Sequence, residues 1–434
     1  MTTWMRLLVI GGGGREHALI WKLRQSPQVK KIYCAPGNAG IADLAEIVPL
    51  KSEDLKGILA FARKEKIDLT VVGPELPLTL GIVDLFQKEG LKVFGPNAKA
   101  AVLEGSKAWT KKFLRQHSIP TAQFEVFEDM DRAIDFLNTQ AYPLVIKADG
   151  LAAGKGVLIV KDRAEAVLGL QSVLKDKVFG EAGKQVVIEE FLQGEEASFL
   201  ALVDGQSILP LDSAQDHKRL KDGDEGPNTG GMGVYSPAPV LTEAVRSQAI
   251  EKILTPTLKG LSKMGIEYRG VLYAGLMIDK QGTPRLLEYN VRFGDPETQA
   301  LMVRLESDLL GAMEATVEGR LKGMSLRWTD GPSVCVVQAA HGYPGELRLG
   351  DEIQGLKEAA TVPGTVVFHA GTKLENGLCK TAGGRVLGVT ATGKDLRQAR
   401  VRAYDACDKI YWKGIQFRRD IGIKGIPPLR VRGG

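Results

Sequence analysis

Residues 284–297 read PRLLEYNVRFGDPE, and Glu288, Asn290 and Arg292 fall on every second position of a strand-like run. Alternate strand residues project to one side, about 6.5–7 Å apart, so a carboxylate, an amide and a guanidinium share a face while Leu287, Tyr289 and Val291 take the other. Such a row is either an ordinary solvent-facing strand or a surface that handles charge. Alternation alone does not separate the two.

Three glycine-rich or acidic stretches raise the same choice. RLLVIGGGGREHA, residues 6–18, places a glycine turn between a strand and a helix, where free N–H groups and the helix N-terminus favour an anion. The third glycine of a dinucleotide fingerprint falls on Glu16, and the next strand ends in YCAPGN with no acidic residue for a ribose diol. A smaller phosphate-bearing ligand or a tight structural turn remains. KADGLAAGKG, residues 147–156, is one residue short of a Walker A loop, and Gly156 stands where that loop has Ser or Thr. What is left is a turn between VIKA and GVLIV with Lys147 at its base, able to fold over nucleotide phosphates or simply to sit in solvent. In VVIEEFLQGEE, residues 186–196, the main chain around Glu190 and Leu192 can read the edge of a base and Glu196 can accept from ribose hydroxyls. A solvated acidic strand end is the plain alternative.

The elements that must position these groups follow from period. RLLVI, KKIYCA, DLTVV and LKVFG alternate with helical stretches such as REHALIWKLRQS and DLKGILAFARKEK, which argues a parallel sheet with crossover helices over residues 1 to about 120. YPLVIKA, GVLIV and QVVIEEFL surround a helical stretch in a compact second unit. ASFLALVD, VLYAGLMID and PRLLEYN precede a helical stretch from about 298 to 318. SVCVVQAA, GTVVFHAG and GRVLGVTATG, then a helix over DLRQARVRAYDACDKI, make a small final α+β unit.

Composition narrows the class. A chain of 434 residues is too long for one simple core, and 57 basic against 52 acidic residues is too even a balance to suggest nucleic acid. Cys34, Cys335, Cys379 and Cys407 lack CxxC spacing or paired histidines, so they read as buried thiols in a reducing compartment. The short apolar run before the first glycines is neither a signal peptide nor a membrane span. A cytoplasmic protein without membrane or nucleic-acid partners is expected. Five histidines supply no Ser/His/Asp or Cys/His signature of a covalent nucleophile.

Taken in order, Lys107 in GSKAWTKKFL, Lys147 in PLVIKADG, the glycine hairpin, VVIEEFLQGEE and LLEYNVRFGDPE resemble the ATP-grasp superfamily. GGGGREHA, VVGPE, GSKAWTKKF, VIKADGLAAGKGV, GPNTGGMG and NVRFGDPETQ are similar to the phosphoribosylamine–glycine ligase family over essentially the whole chain, with 331–434 matching only in general character. The resemblance implies a multidomain α/β and α+β fold. Its parts would be an N-terminal open parallel sheet (1–122) for substrate, an ATP-grasp lid (123–193), a central antiparallel ATP-grasp domain with the metal strand (194–330) and a small C-terminal α+β domain (331–434). It also implies ATP-dependent joining of glycine to 5-phosphoribosylamine through glycyl phosphate, by a monomer or weak homodimer that meets only small molecules.

Site roles follow from the same resemblance. Glu288 and Asn290 would hold Mg²⁺, with Mn²⁺ possible, since both offer hard oxygen ligands. Lys107, Lys147, Gly154 and Gly156 would meet the ATP phosphates, and Glu189, Glu190, Leu192 and Glu196 the nucleoside. Gly13, Glu16, His17, Asn38, Glu75, Asn228 and Gly230 would border the substrates. Asp212 would receive the glycine amine, and Arg292 would hold a carboxylate or phosphate. Arg292, Asp212 and Lys147 are the expected catalytic groups. An ATP-grasp carboxylase or formate-dependent ligase would carry a bicarbonate or formate site in place of GPNTGGMG. A nucleotide-binding regulator would not need both metal ligands and both lysines.

Overall fold

The computed structural model describes residues 4–151, 156–176, 178 and 180–427. Leu8 and Ile10 of strand Met5–Gly11 enter one core while Leu7 and Val9 enter another, which is why the strand is apolar at nearly every position. Its parallel sheet runs Glu46–Ile47, Val29–Pro36, Met5–Gly11, Leu69–Val72, Val93–Phe94. Crossover helices such as Gly14–Leu23 and Leu55–Lys64 join the strands, as the alternating pattern predicts.

An antiparallel sheet follows in the order Phe124–Phe127, Val186–Glu190, Leu144–Ala148, Val157–Val160. Ala133, Leu137, Ile146, Ala166, Leu170 and Ile188 give it a core of its own. A separate core is the condition under which a unit can close over a ligand without opening its neighbours.

The central antiparallel sheet runs Ile208–Pro210, Glu195–Asp204, Arg269–Ile278, Pro284–Asn290. Phe199, Ala201 and Tyr289 share a core with Leu8 and Ile10 of the first sheet, so the strand that carries Glu288 is braced against the strand leading into the first glycine turn.

In the last sheet, Ser333–Ala339, Arg385–Thr392 and Thr365–His369 are backed by helix Leu396–Cys407. Gln215–Asp216 and Gly233–Ser236 complete the sheet from within the 194–330 stretch, where no strand of the final unit was expected. The single helix expected over about 298–318 is two, Glu297–Met302 and Leu309–Glu318. Between them Arg304 donates to the carbonyls of Thr329 and Gly331, and Asp308 accepts from Leu310 N to cap the second helix. Cys34, Cys335 and Cys407 are buried free thiols, whereas Cys379 is partly exposed. Among the described residues no helix is long and apolar enough to cross a membrane.

Candidate active site

The polar face of Pro284–Asn290 is half-buried, with the Glu288 side chain 36% exposed. A bulge shapes it: Gly275 pairs with Glu288 but Leu276 pairs with Leu286, leaving Leu287 as the extra residue. Leu286 therefore takes the core position, and Leu287, expected to bury beside Tyr289 and Val291, is only half-buried. Its carbonyl accepts from Lys147 Nζ at 3.3 Å. Asn290 Oδ1 accepts from Arg292 Nη2 at 3.0 Å, and Glu288 Oε1 lies 3.8 Å from Lys218 Nζ. Burial pushes the Glu288 carboxyl up, but Lys218, Lys147 and Lys107 outweigh it and hold the group below the usual carboxylate range. Glu288 is thus ionised at neutral pH and, with Asn290, offers a pair of hard oxygen donors of the kind that could hold a divalent metal ion. Among the described residues no group of three or more His, Cys, Asp or Glu is placed to hold a metal ion.

The lysines reach this face from three elements. Ser106 caps helix Lys107–Gln116, and Asp149 of the lid turn accepts from Ala108 N at 3.0 Å, so lid and helix are tied where Lys107 begins. Lys107 Nζ donates to Gly150 O at 2.7 Å. Burial draws its ammonium below the usual lysine range, against the pull of Glu288. Lys147 Nζ lies 3.0 Å from Glu189 Oε2. Glu189 is therefore buried against lysines, not open to a nucleoside on its side chain. Gly156 closes the hairpin by accepting from Ala148 N at 2.8 Å, while Gly154 lies outside the described residues.

A cleft of about 200 Å³ opens at the hinge after Val186–Glu190, lined by Glu190, Leu192, Met277 and Arg285 among others. The Glu190 carboxylate is anchored there by Gln123 N at 2.9 Å and Arg285 Nη1 at 3.4 Å. Glu196 Oε2 pairs with Lys218 Nζ at 3.0 Å. Glu196 and Glu288 raise Lys218 above the usual lysine range.

Beyond the strand end, Arg292 is the hub. Its guanidinium meets Glu104 Oε1 at 2.9 Å and Glu75 Oε2 at 3.3 Å, and Glu104 Oε2 accepts from Val291 N at 2.8 Å. Burial raises both carboxyls. At Glu75, Arg292, Arg15 and hydrogen bonds together outweigh burial and the group is lowered, whereas at Glu104 burial and the neighbouring Glu75 prevail over Arg292 and the group stays raised. Arg15 joins this turn to the first glycine loop by donating to Phe293 O at 3.1 Å and Glu16 Oε1 at 2.6 Å.

Glu16 shapes that loop from inside. Its Oε2 accepts from Gly13 N at 2.6 Å, and a Cβ at Gly73 would sit 2.0 Å from its Oε1. Asn38 and His17 also border the loop with polar atoms engaged. Asn38 Nδ2 donates to Gly12 O at 2.9 Å and His369 O at 2.7 Å, while His17 Nδ1 accepts from His369 N at 2.8 Å. The C-terminal unit is docked on the loop through these two residues. Gly230 donates its N–H to Tyr343 Oη at 3.0 Å and accepts from Arg385, whose Nη1 also donates to Asp295 O at 2.6 Å. Asn228 ends the hairpin opposite Arg219.

Asp212, expected to receive the glycine amine, is ion-paired in the structure. Its carboxylate is taken by Arg304 Nη1 at 2.6 Å, a guanidinium that also donates to Ser236 Oγ at 2.7 Å, so it fastens the loop after Ile208–Pro210. Asp216 is the carboxyl brought to the cluster instead. Burial and neighbouring Glu297 push it well above the usual range, against Lys218 and Arg385. Gly231 is required beside it, because at φ +111° an added Cβ would lie 2.7 Å from Asp216 Oδ1. Glu297 Oε1 accepts from Tyr273 Oη at 2.6 Å and Ser198 Oγ at 2.9 Å. The sequence reading missed Lys218, Glu104, Asp216 and Glu297. Only Glu297 sat inside a stretch already singled out, GDPE.

A small antiparallel sheet that carries Lys147 and a central sheet that carries Glu288 and Asn290 on the strand Lys147 reaches are the arrangement of an ATP-grasp enzyme. Family models of phosphoribosylglycinamide synthetase match its N domain to residues 5–104, its ATP-grasp (A) domain to 105–298 and its C domain to 333–424. A phosphoribosylamine–glycine ligase of Pseudomonas aeruginosa is 52% identical over 431 residues, 99% of this chain and 100% of the relative. The crystal structure of the Thermotoga maritima phosphoribosylamine–glycine ligase superposes with a TM-score of 0.84 at 36% identity, covering 96% of this chain and 99% of that one. A biotin carboxylase from Campylobacter jejuni, at TM-score 0.74 and 16% identity over 95% of this chain and 92% of its own, shares the fold alone. The chain belongs to the phosphoribosylamine–glycine ligase family, ATP-dependent ligases of purine biosynthesis. ATP and a divalent metal ion are what its ATP-grasp fold uses.

Proposed function

We propose that glycine is activated as glycyl phosphate on the polar face of Pro284–Asn290 and then joined to 5-phosphoribosylamine, with Mg²⁺ as the metal and Mn²⁺ as its substitute. The observation that carries this reading is the convergence of Lys107, Lys147 and Lys218 on Glu288, with Arg292 two residues past Asn290. In this reading the base enters the cleft beside Glu190 and Leu192, and Glu196 accepts from the ribose. Lys107 and Lys147 exchange the carbonyls of Gly150 and Leu287 for phosphate oxygens. Glu288 and Asn290 would hold the metal, which would neutralise triphosphate charge.

Arg292 orients the glycine carboxylate, and an oxygen of that carboxylate attacks the γ-phosphorus and releases ADP. The Asp216–Glu297 pair receives the glycine ammonium: two carboxyls forced together are relieved by an arriving cation. The phosphoribosylamine nitrogen then attacks the acyl carbon, expels phosphate and gives up a proton to it. Residues 1–122 hold the phosphoribosyl group near Gly13 and Glu75, 123–193 close as the lid, 194–330 carry the metal strand and 331–434 buttress the loop. The enzyme works in the cytoplasm on small molecules.

Incubation with ATP, glycine, Mg²⁺ and freshly generated phosphoribosylamine should yield glycinamide ribonucleotide by mass, with equal amounts of ADP and phosphate. ADP formed instead with bicarbonate or formate would move the chain to another ATP-grasp reaction.

A further inference from the structure

Lys111 lies one helical turn beyond Lys107, and its side chain is 4% exposed. Its Nζ is 3.1 Å from Glu189 Oε1 and donates to Thr121 Oγ1 at 2.6 Å, which in turn donates to Leu286 O at 2.6 Å. The other oxygen of the same carboxylate lies 3.0 Å from Lys147 Nζ, and the Glu189 side chain is only 2% exposed. One buried carboxylate is therefore divided between two ammoniums, and the cluster carries a net positive charge in an interior that penalises uncompensated charge. Burial pulls Lys111 down to about 8 while Glu189 pulls it up, so it keeps its proton at neutral pH.

A carboxylate committed to Lys147 alone would cancel the charge that Lys147 presents to a triphosphate. We propose that Lys111 is a positioning residue for the nucleotide: by occupying one oxygen of Glu189, it leaves the positive charge of Lys147 available to the phosphates and fixes the plane of the carboxylate. This rests on the reading of Lys147 as a phosphate ligand. Thr121 and Leu286 relay the position of the metal strand to the same lysine, so helix, lid and strand share one charge cluster.

The test is ADP affinity by calorimetry on the full chain. Lys111→Met should weaken ADP about tenfold, the scale of one charge lost several ångströms from a phosphate in a partly screened site, with kcat at saturating ATP within about threefold. Lys111→Arg keeps the charge and should stay within about threefold of the parent. Lys111→Met/Glu189→Gln removes both charges, returns Lys147 to full charge and should recover parental affinity within about threefold. A merely structural lysine predicts lower melting temperature with unchanged affinity in the folded protein, and that result overturns the proposal, as does a double variant no tighter than the single. Should Lys111→Met fail to fold, Glu189→Gln alone decides, because it leaves both ammoniums unopposed and should tighten ADP several-fold; weaker binding contradicts the proposal. A parent that binds no ADP would instead overturn the nucleotide site itself.

Discussion

Glu288→Ala is expected to reduce metal-supported turnover by at least about a thousandfold, roughly 4 kcal/mol of transition-state stabilisation, with little change in thermal unfolding. The reason is local. Glu288 is the carboxylate toward which Lys218, Lys147 and Lys107 all act, and it stays ionised in spite of burial. Removing it takes away one of two oxygen ligands on the strand and leaves the three lysines without that counter-charge. Lys218 keeps Glu196 at 3.0 Å and Lys147 keeps Glu189 at 3.0 Å, so no ammonium among these two is stranded in the interior. The fold should therefore survive. The measurement is kcat across a metal titration beside a thermal melt; a variant with near-parental rate at any metal concentration would remove Glu288 from the metal site.

Arg292→Lys should lose about 10² to 10³ in kcat, the scale of removing one preorganised donor, although charge is kept. A guanidinium presents several donors in a fixed plane, and here that plane is divided among Glu104, Glu75 and Asn290 before any substrate arrives. An ammonium cannot span all three. The structure adds a second consequence. Glu104 is raised by burial and held in check chiefly by Arg292, so the lysine variant should also melt at a lower temperature. Glu104→Gln in the same chain separates the two effects, because it removes the buried carboxylate while keeping an acceptor near Val291 N. The double variant should regain thermal stability but not rate. Recovery of both would make Arg292 a structural ion-pair partner with no hand in the chemistry.

Much of this was legible in the sequence, for identifiable reasons. Apolar runs such as RLLVI and DLTVV could only be strands buried on both faces, and the alternation of Glu288 with Asn290 survived into the structure. The bulge at Leu287 was not legible, since a strict two-residue period cannot register one extra residue and therefore misplaced Leu286 and Leu287. The partner of Asp212 was not legible, because a carboxylate in a loop carries no sign of it. Arg304, 92 positions along, claims the carboxylate. Lys218 and Asp216 were missed for a related reason: their importance comes from Glu196, Glu288 and Glu297, which converge on them only after the loop crosses to the last sheet. Lys147 was marked by the glycine turn that follows its strand, whereas Lys107, the first residue of a helix capped by Ser106, was placed only by the resemblance to the ATP-grasp family. Glu189, an acidic residue at the end of such a strand, looked like a nucleoside contact and proved to be a counter-ion.

Oxygen transfer from glycine tests the account most directly. With glycine labelled by ¹⁸O in its carboxylate, attack of that carboxylate on the γ-phosphorus followed by loss of phosphate from the acyl carbon must carry one labelled oxygen into inorganic phosphate at each turnover. Mass analysis of the phosphate released in a single turnover with ATP, Mg²⁺ and phosphoribosylamine should therefore find one ¹⁸O per phosphate in step with product. Product formed at full rate with unlabelled phosphate would show that no glycyl phosphate is made on the Glu288 face, and would contradict the account.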